Sequence, residues 1–311
     1  MKAIKLASVF AVTAVAAAVS STTFAAEGVF SGNAGIEYVA VDNGNNDLSG
    51  TNEGEVEINV DTGVVFAEIE IATSGGDEGT KIGMEKLYVK QGALSFGRFD
   101  GTVATGSFMG MDEIWGGVDL RTAGDTDNTG IRYKVTPELT VAIEATESIS
   151  AKAAGFKFDE ETGSTPTAAV EAQDSDIGAA ISYVQDFGGF KAGISGGSVG
   201  DANAVNLGLQ ADAGPATLSL NYGSGATGLT GATDVERMTV SVALAATDAL
   251  TLTLEYSQDM ETDGEPSATY FVGEYVSGDL TYYVKNYAGD TSAPTVDAGS
   301  ERTIVGVKAN F

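Results

Sequence analysis

Neither cysteine nor histidine occurs among the 311 residues, and proline appears only 5 times. Without the first two there is no Ser-His-Asp triad, no thiolate nucleophile, no disulfide framework and no His/Cys zinc or iron centre. Positive charge is also scarce: 16 Lys and Arg stand against 44 Asp and Glu, a formal charge of −28. Nucleic-acid affinity comes mainly from basic side chains neutralising phosphates, so no nucleic-acid partner is expected. Cations and cationic solutes suit this charge better. Beyond its first residues the chain has no run of roughly 18 consecutive apolar residues, so no helix is expected to cross a membrane.

What is present begins with an address. Met1-Lys2-Ala3-Ile4-Lys5 is a positive start, Leu6 to Val19 is uncharged and mostly apolar, and Thr23-Phe24-Ala25 offers small residues at the −3 and −1 positions of a cleavage site. The pattern predicts a secretory signal peptide over 1–25 and one domain over 26–311. A membrane anchor is the alternative, but the apolar run falls short of the roughly 20 residues that a spanning helix needs. An exported chain without cysteine is not a small disulfide-stapled module, whereas a large closed barrel needs no staple.

Overall hydropathy is close to zero, which soluble proteins and barrels share. Periodicity separates them. Glu55-Val56-Glu57-Ile58-Asn59-Val60, Ala67-Glu68-Ile69-Glu70-Ile71 and Thr217-Leu218-Ser219-Leu220-Asn221-Tyr222 alternate polar with apolar residues, so each strand is wet on one face and apolar on the other. The pairs Glu55/Glu57 and Glu68/Glu70 therefore mark a water-facing lumen more simply than they mark the paired carboxylates of a glycosidase.

Sixteen such segments are predicted, at about 29–41, 53–60, 64–73, 81–91, 93–99, 129–136, 138–147, 176–186, 189–198, 204–212, 216–224, 233–246, 249–258, 267–277, 279–288 and 301–311. Every second connection is a tight turn, such as Asp61-Thr62-Gly63, Gln91-Gly92 or Ser277-Gly278-Asp279. The intervening ones are mostly longer and polar, among them about 100–128 and 148–175. Short turns on one rim and long loops on the other predict an all-β fold, a transmembrane antiparallel up-and-down barrel. A secreted sandwich or β-solenoid shares the Gly-rich turns, but no fixed repeat is visible. An even strand count puts both chain ends on one rim, and the last segment alternates up to an aromatic terminus, Phe311.

Several places resemble the general porin family of Gram-negative outer membranes, in order along nearly the whole mature length. Ala26-Glu27 is similar to the family's opening, and Leu87-Tyr88-Val89-Lys90-Gln91-Gly92 with Ser95-Phe96-Gly97-Arg98 resembles its fourth and fifth strands. Glu113-Ile114-Trp115-Gly116-Gly117-Val118-Asp119 resembles the constriction loop, and Thr129-Gly130-Ile131-Arg132-Tyr133 with Thr136-Pro137-Glu138-Leu139 resembles the next strand and turn. The final Phe311 resembles the signal read by the barrel-assembly machinery.

The resemblance implies a sixteen-stranded barrel whose third external loop folds inward. Asp112, Glu113 and Asp119 on that loop would focus a negative potential in the constriction and concentrate cations there. Family members oppose the loop with basic wall residues, and matching motif position gives that role to Arg98 and Arg132. Arg121 has no motif match. Glu55 and Glu57 stand where a basic residue is common, which weakens the ladder and favours cations.

Two other features have plainer explanations. The acidic run Asp159-Glu160-Glu161 with Glu171, Asp174 and Asp176 lacks the spacing of an EF-hand loop and reads as solvated. Phe190, Tyr270, Phe271, Tyr282, Tyr283 and Tyr287 lie near strand ends, as girdle residues would, with a sugar slide as the sharper alternative.

The expectation is an outer-membrane porin for passive diffusion of small hydrophilic solutes and ions, cation-preferring, without cofactor or catalytic residue, embedded in outer-membrane lipid and, by resemblance, a homotrimer. A substrate-specific porin for sugars or peptides and a barrel-anchored structural or adhesive surface protein are the alternatives.

Overall fold

The computed structural model describes residues 27–42, 46–49, 54–73, 80–107, 113–120, 127–145, 151, 155–159, 163–167, 172, 174–228, 232–290 and 301–311. The signal peptide expected over 1–25 lies outside them. The described residues form β1 (Glu27–Val41), β2 (Asp47–Ser49), β3 (Glu55–Asp61), β4 (Val65–Thr73), β5 (Thr80–Gln91), β6 (Leu94–Asp100), β7 (Asp127–Lys134), β8 (Leu139–Ala145), β9 (Gly155–Asp159) and β10 (Gly163–Thr167). They continue with β11 (Ile177–Asp186), β12 (Phe190–Val199), β13 (Ala202–Ala213), β14 (Ala216–Thr227), β15 (Thr233–Ala245), β16 (Leu250–Asp259), β17 (Ser267–Ser277), β18 (Leu280–Gly289) and β19 (Arg302–Asn310).

Sixteen of these, all but β2, β9 and β10, make one closed antiparallel wall in chain order. Closure is the pairing of the first strand with the last, from Asn33 opposite Asn310 to Val41 opposite Arg302. Beyond it Phe311 N donates to Gly32 O (3.0 Å) and Gly32 N to Phe311 O (3.1 Å). Closure leaves the sixteen-stranded wall, among the described residues, without an unpaired strand edge, the condition for spanning a bilayer with sheet.

Side-chain alternation gives the wall its two faces. On β13, Leu207 is 51% exposed and its neighbour Asn206 only 1%. Val205 and Leu209 lie on the exposed face with Leu207, as do Leu218, Leu254, Tyr282, Val284 and Val305 on other strands. Apolar side chains exposed all round a closed barrel face lipid, and the polar set between them faces the lumen. Glu55, Glu57, Glu68 and Glu70 are on that inner face of β3 and β4, with Glu57 directly opposite Glu70, Glu55 opposite Ala72 and Glu68 opposite Asn59.

Tight turns join the strands at the other rim from the long loops. At Asp61–Val65 the Thr62 N donates to Val65 O (2.9 Å), Gly63 N donates to Asp61 Oδ1 (2.8 Å), and Gly63 takes a φ of 79°, which side chains rarely adopt. A bulge between β4 and β5 pairs Glu68 with Lys86 but Ile69 with Met84, leaving Glu85 as the extra residue. Lys86, Tyr88 and Lys90 thereby share the inner face of β5.

The expected segments match the wall strands to within about three residues. Two pieces of strand were not foreseen. The short β2 pairs with Glu37–Val39, and the expected connection 148–175 contains the β9–β10 hairpin. Three residues are too few for periodicity to register, and Pro166 in β10 lacks a ladder donor and masks the strand.

The buried apolar core lies inside the barrel. Val103, Ala104, Val118 and Leu120 from the connection after β6 pack on Ala142, Ala180, Val199, Ala202 and Ala204 of the wall. Ile114 from the same connection packs with Tyr270, Val272, Tyr283, Tyr287 and Ile304.

Candidate functional site

The connection between β6 and β7 is described at residues 101–107 and 113–120. Its two arms pair closely: Gly117 N donates to Gly106 O (2.9 Å) and Leu120 N to Ala104 O (3.1 Å). Asp119 clamps them, its Oδ1 accepting from Gly106 N at 2.7 Å.

Six buried side chains on the inner face hold these arms. Glu144 on β8 accepts from Thr102 Oγ1 and Val103 N, both at 2.7 Å. Ser195 on β12 donates to Thr105 O (2.6 Å), and Asn221 on β14 donates to Gly106 O (2.9 Å). Asn206 on β13 takes both polar groups of Val118, accepting from its N and donating to its O at 2.7 Å each. Thr239 on β15 donates to Gly116 O (2.8 Å), and Glu255 on β16 accepts from Ile114 N (3.2 Å). Backbone groups buried away from water need such partners, which the wall supplies in strand order. Glycine allows the close seat: a Cβ on Gly223 of β14 would lie 2.3 Å from Asn206 Oδ1 and 2.4 Å from Val118 N.

Beyond these bonds the tip reaches β18. Glu113 is exposed and accepts from Tyr287 Oη at 3.2 Å. Trp115 lies beneath Arg237, whose guanidinium carbon is 5.7 Å from the indole ring centre, and Arg302 covers Tyr287 at 4.3 Å. Cations over aromatic faces are held by the ring quadrupole.

The residues singled out from sequence are thus divided. Glu113 and Asp119 lie on the docked arms, while Asp112 and Arg121 fall outside the described residues. Arg132 is on the inner face, donating to Gly101 O (2.6 Å) with its guanidinium 4.1 Å from the Phe99 ring centre. Arg98 does not join it. Register pairs Arg98 with Leu87 and Thr129, on the same face as Phe96 and Ile131, whereas its neighbour Phe99 stacks on inner-face Tyr88 at 4.8 Å. One step along an extended strand reverses the face, so motif position found the strand and missed the side.

Among the inner-face bases that sequence did not single out are Lys86, Lys90, Lys134, Arg237 and Arg302. Lys86 pairs with Glu68, and Lys90 meets Asp61 at 2.6 Å. The six aromatics also divide: Phe190, Phe271 and Tyr282 are outside, whereas Tyr270, Tyr283 and Tyr287 are buried inside. The last three anchor the loop tip instead of forming a girdle. Of the acidic run, Asp159, Glu160, Glu161 and Glu171 have no described side chains, and among the described residues no three acids gather as a metal site.

No family model and no curated protein sequence matches the chain. Solved structures do. OmpT of Vibrio cholerae lacking loop L8 superposes with a TM-score of 0.62 at 15% identity, over 92% of this chain and 100% of that one. A trimer form of OmpT gives 0.58 at 15% identity, over 92% and 100%. The outer membrane channel DcaP of Acinetobacter baumannii gives 0.61 at 12% over 93% and 99%, and a mutant of the Rh. blastica porin 0.59 at 13% over 92% and 100%. This is the outer-membrane porin fold. On a porin fold, an apolar belt around a closed barrel places the chain in a bacterial outer membrane.

Proposed function

We propose that this porin-fold barrel is a passive diffusion channel for small hydrophilic solutes and ions, with cations preferred, and that it works as a homotrimer. The observation that carries the channel reading is the polar, charged inner face with one connection bonded along it. On this reading the connection at about 100–128 is the inward-folded third external loop, and its described arms lie along β8 and β12 to β16, leaving the passage toward β3 to β6. A sixteen-stranded wall is wide enough to leave water inside.

Cation preference is supported by where the acids stand. Glu113 is exposed at the loop tip, and Glu57 and Glu70 face one another across β3 and β4. Lys86 and Lys90 are matched by Glu68 and Asp61, Arg132, Arg237 and Arg302 lie against aromatic rings, Lys134 stands by the tight turns away from Glu113, and Arg98 is not on the inner wall. Asp112 belongs to the same acidic stretch. Acids in a narrow, low-dielectric passage raise the local cation concentration. Transport rather than catalysis is supported by a chain that has no histidine or cysteine. The trimer rests on the fold shared with OmpT, which is known in a trimer form.

Single-channel recording in a planar bilayer under a salt gradient tests the reading. Stepwise conductance with a cation-selective reversal potential is expected, and the triple variant Asp112→Asn, Glu113→Gln, Asp119→Asn should move that potential toward zero. An unchanged potential would remove these acids from selectivity. A folded barrel that never conducts would turn the reading to an anchor or adhesin.

A further inference from the structure

The inner wall beside the tight turns differs from the rest of this acidic molecule. In one cross-strand row Lys90 on β5 stands opposite Ser95 on β6, which stands opposite Arg132 on β7. In the next row Lys134 on β7 stands opposite Thr140 on β8, and Thr140 opposite Ser182 on β11. Directly opposed residues share a face at roughly 5 Å, so these side chains look onto one patch.

Two adjoining cavities open over the patch. One, of about 340 Å³, is lined by Ser95, Arg132, Lys134, Thr140 and Ser182, together with Ala93 and with Val103 of the docked connection. The other, of about 660 Å³, lies toward the turns, shares Ser95 and Lys134, and adds Tyr88, Lys90 and Thr136. Neither is lined by a carboxylate, although acids outnumber bases 44 to 16 in the chain. Lys90 is matched by Asp61, and Arg132 is spent on Gly101 O and the Phe99 ring. Lys134 forms no ion pair among the described residues, and it borders both cavities.

We propose that this patch is an oxyanion subsite on the turn side of the docked loop, taking the phosphate group of a small polar solute. Lys134 is its central cation, and Ser95, Thr140 and Ser182 supply hydroxyl donors to the several acceptor oxygens of a phosphate. Lys90 and Arg132 frame the field. A lysine ammonium binds phosphate as a point charge, and hydroxyls on neighbouring strands give the directionality that it lacks. The subsite gives a phosphorylated solute a foothold once it has passed the acidic loop. It rests on the channel reading above and adds a ligand class to it.

The test is block of single-channel current in potassium chloride by inorganic phosphate added to the turn side. Saturable block is expected, with a half-blocking concentration raised about tenfold by Lys134→Gln, the worth of one charge-assisted hydrogen bond. Thr140→Val should raise it as well. A channel that conducts but shows no phosphate block, or equal block in both variants, overturns the subsite and leaves the channel reading standing. A folded barrel that does not conduct overturns the channel reading instead. Equilibrium dialysis of phosphate against the detergent-folded protein then decides the subsite: binding lost in Lys134→Gln supports it, and no binding overturns it.

Discussion

A single asparagine carries much of the loop's position. Asn206 satisfies both the N–H and the carbonyl of Val118, residues separated by 88 positions in sequence. Asn206→Ala leaves both groups buried without partners, at a cost of about 1–3 kcal/mol each. The expected result is a larger, noisier single-channel conductance from a barrel that still folds, and steady wild-type current would count against the clamp. Sequence could not reveal this role. Within Ala204-Val205-Asn206-Leu207 an asparagine reads only as a water-facing residue, because its partner is fixed by a distant loop. Glu144 and Glu255 were hidden in the same way: the alternation gives their face, and only the folded loop supplies the N–H groups they accept. Arg98 shows the opposite error, since its motif was visible and its face was not.

Among the strands, period-two alternation was nearly sufficient. It located the wall because each strand must satisfy lipid on one side and water on the other. Its limit is the bulge at Glu85, where one extra residue resets the parity of β5 relative to β4. The two faces make a sharp prediction on β13. Leu207→Arg puts a charge on the lipid face at a cost of about 2–4 kcal/mol near the bilayer midplane. Heat-modifiable folded barrel should fall steeply in that variant. Equal yield would mean that Leu207 does not face lipid.

For the molecule entire, closure is the step on which everything else depends. Phe311 exchanges two backbone hydrogen bonds with Gly32 and so completes the seam between the first and last strands. Deleting Phe311 should sharply reduce the amount of heat-modifiable barrel in the outer membrane, and normal amounts would refute a role in closure. The loop imposes a second whole-molecule property. Among the described residues its inner attachments fall on β7, β8, β12 to β16 and β18, and none of them is on β3 to β6. Mechanically it is a brace riveted along one arc of a tube. Lateral pressure from a crowded bilayer would therefore be resisted along that arc and would bend the unbraced staves opposite, so that stiffness, like charge, is unevenly distributed around the bore.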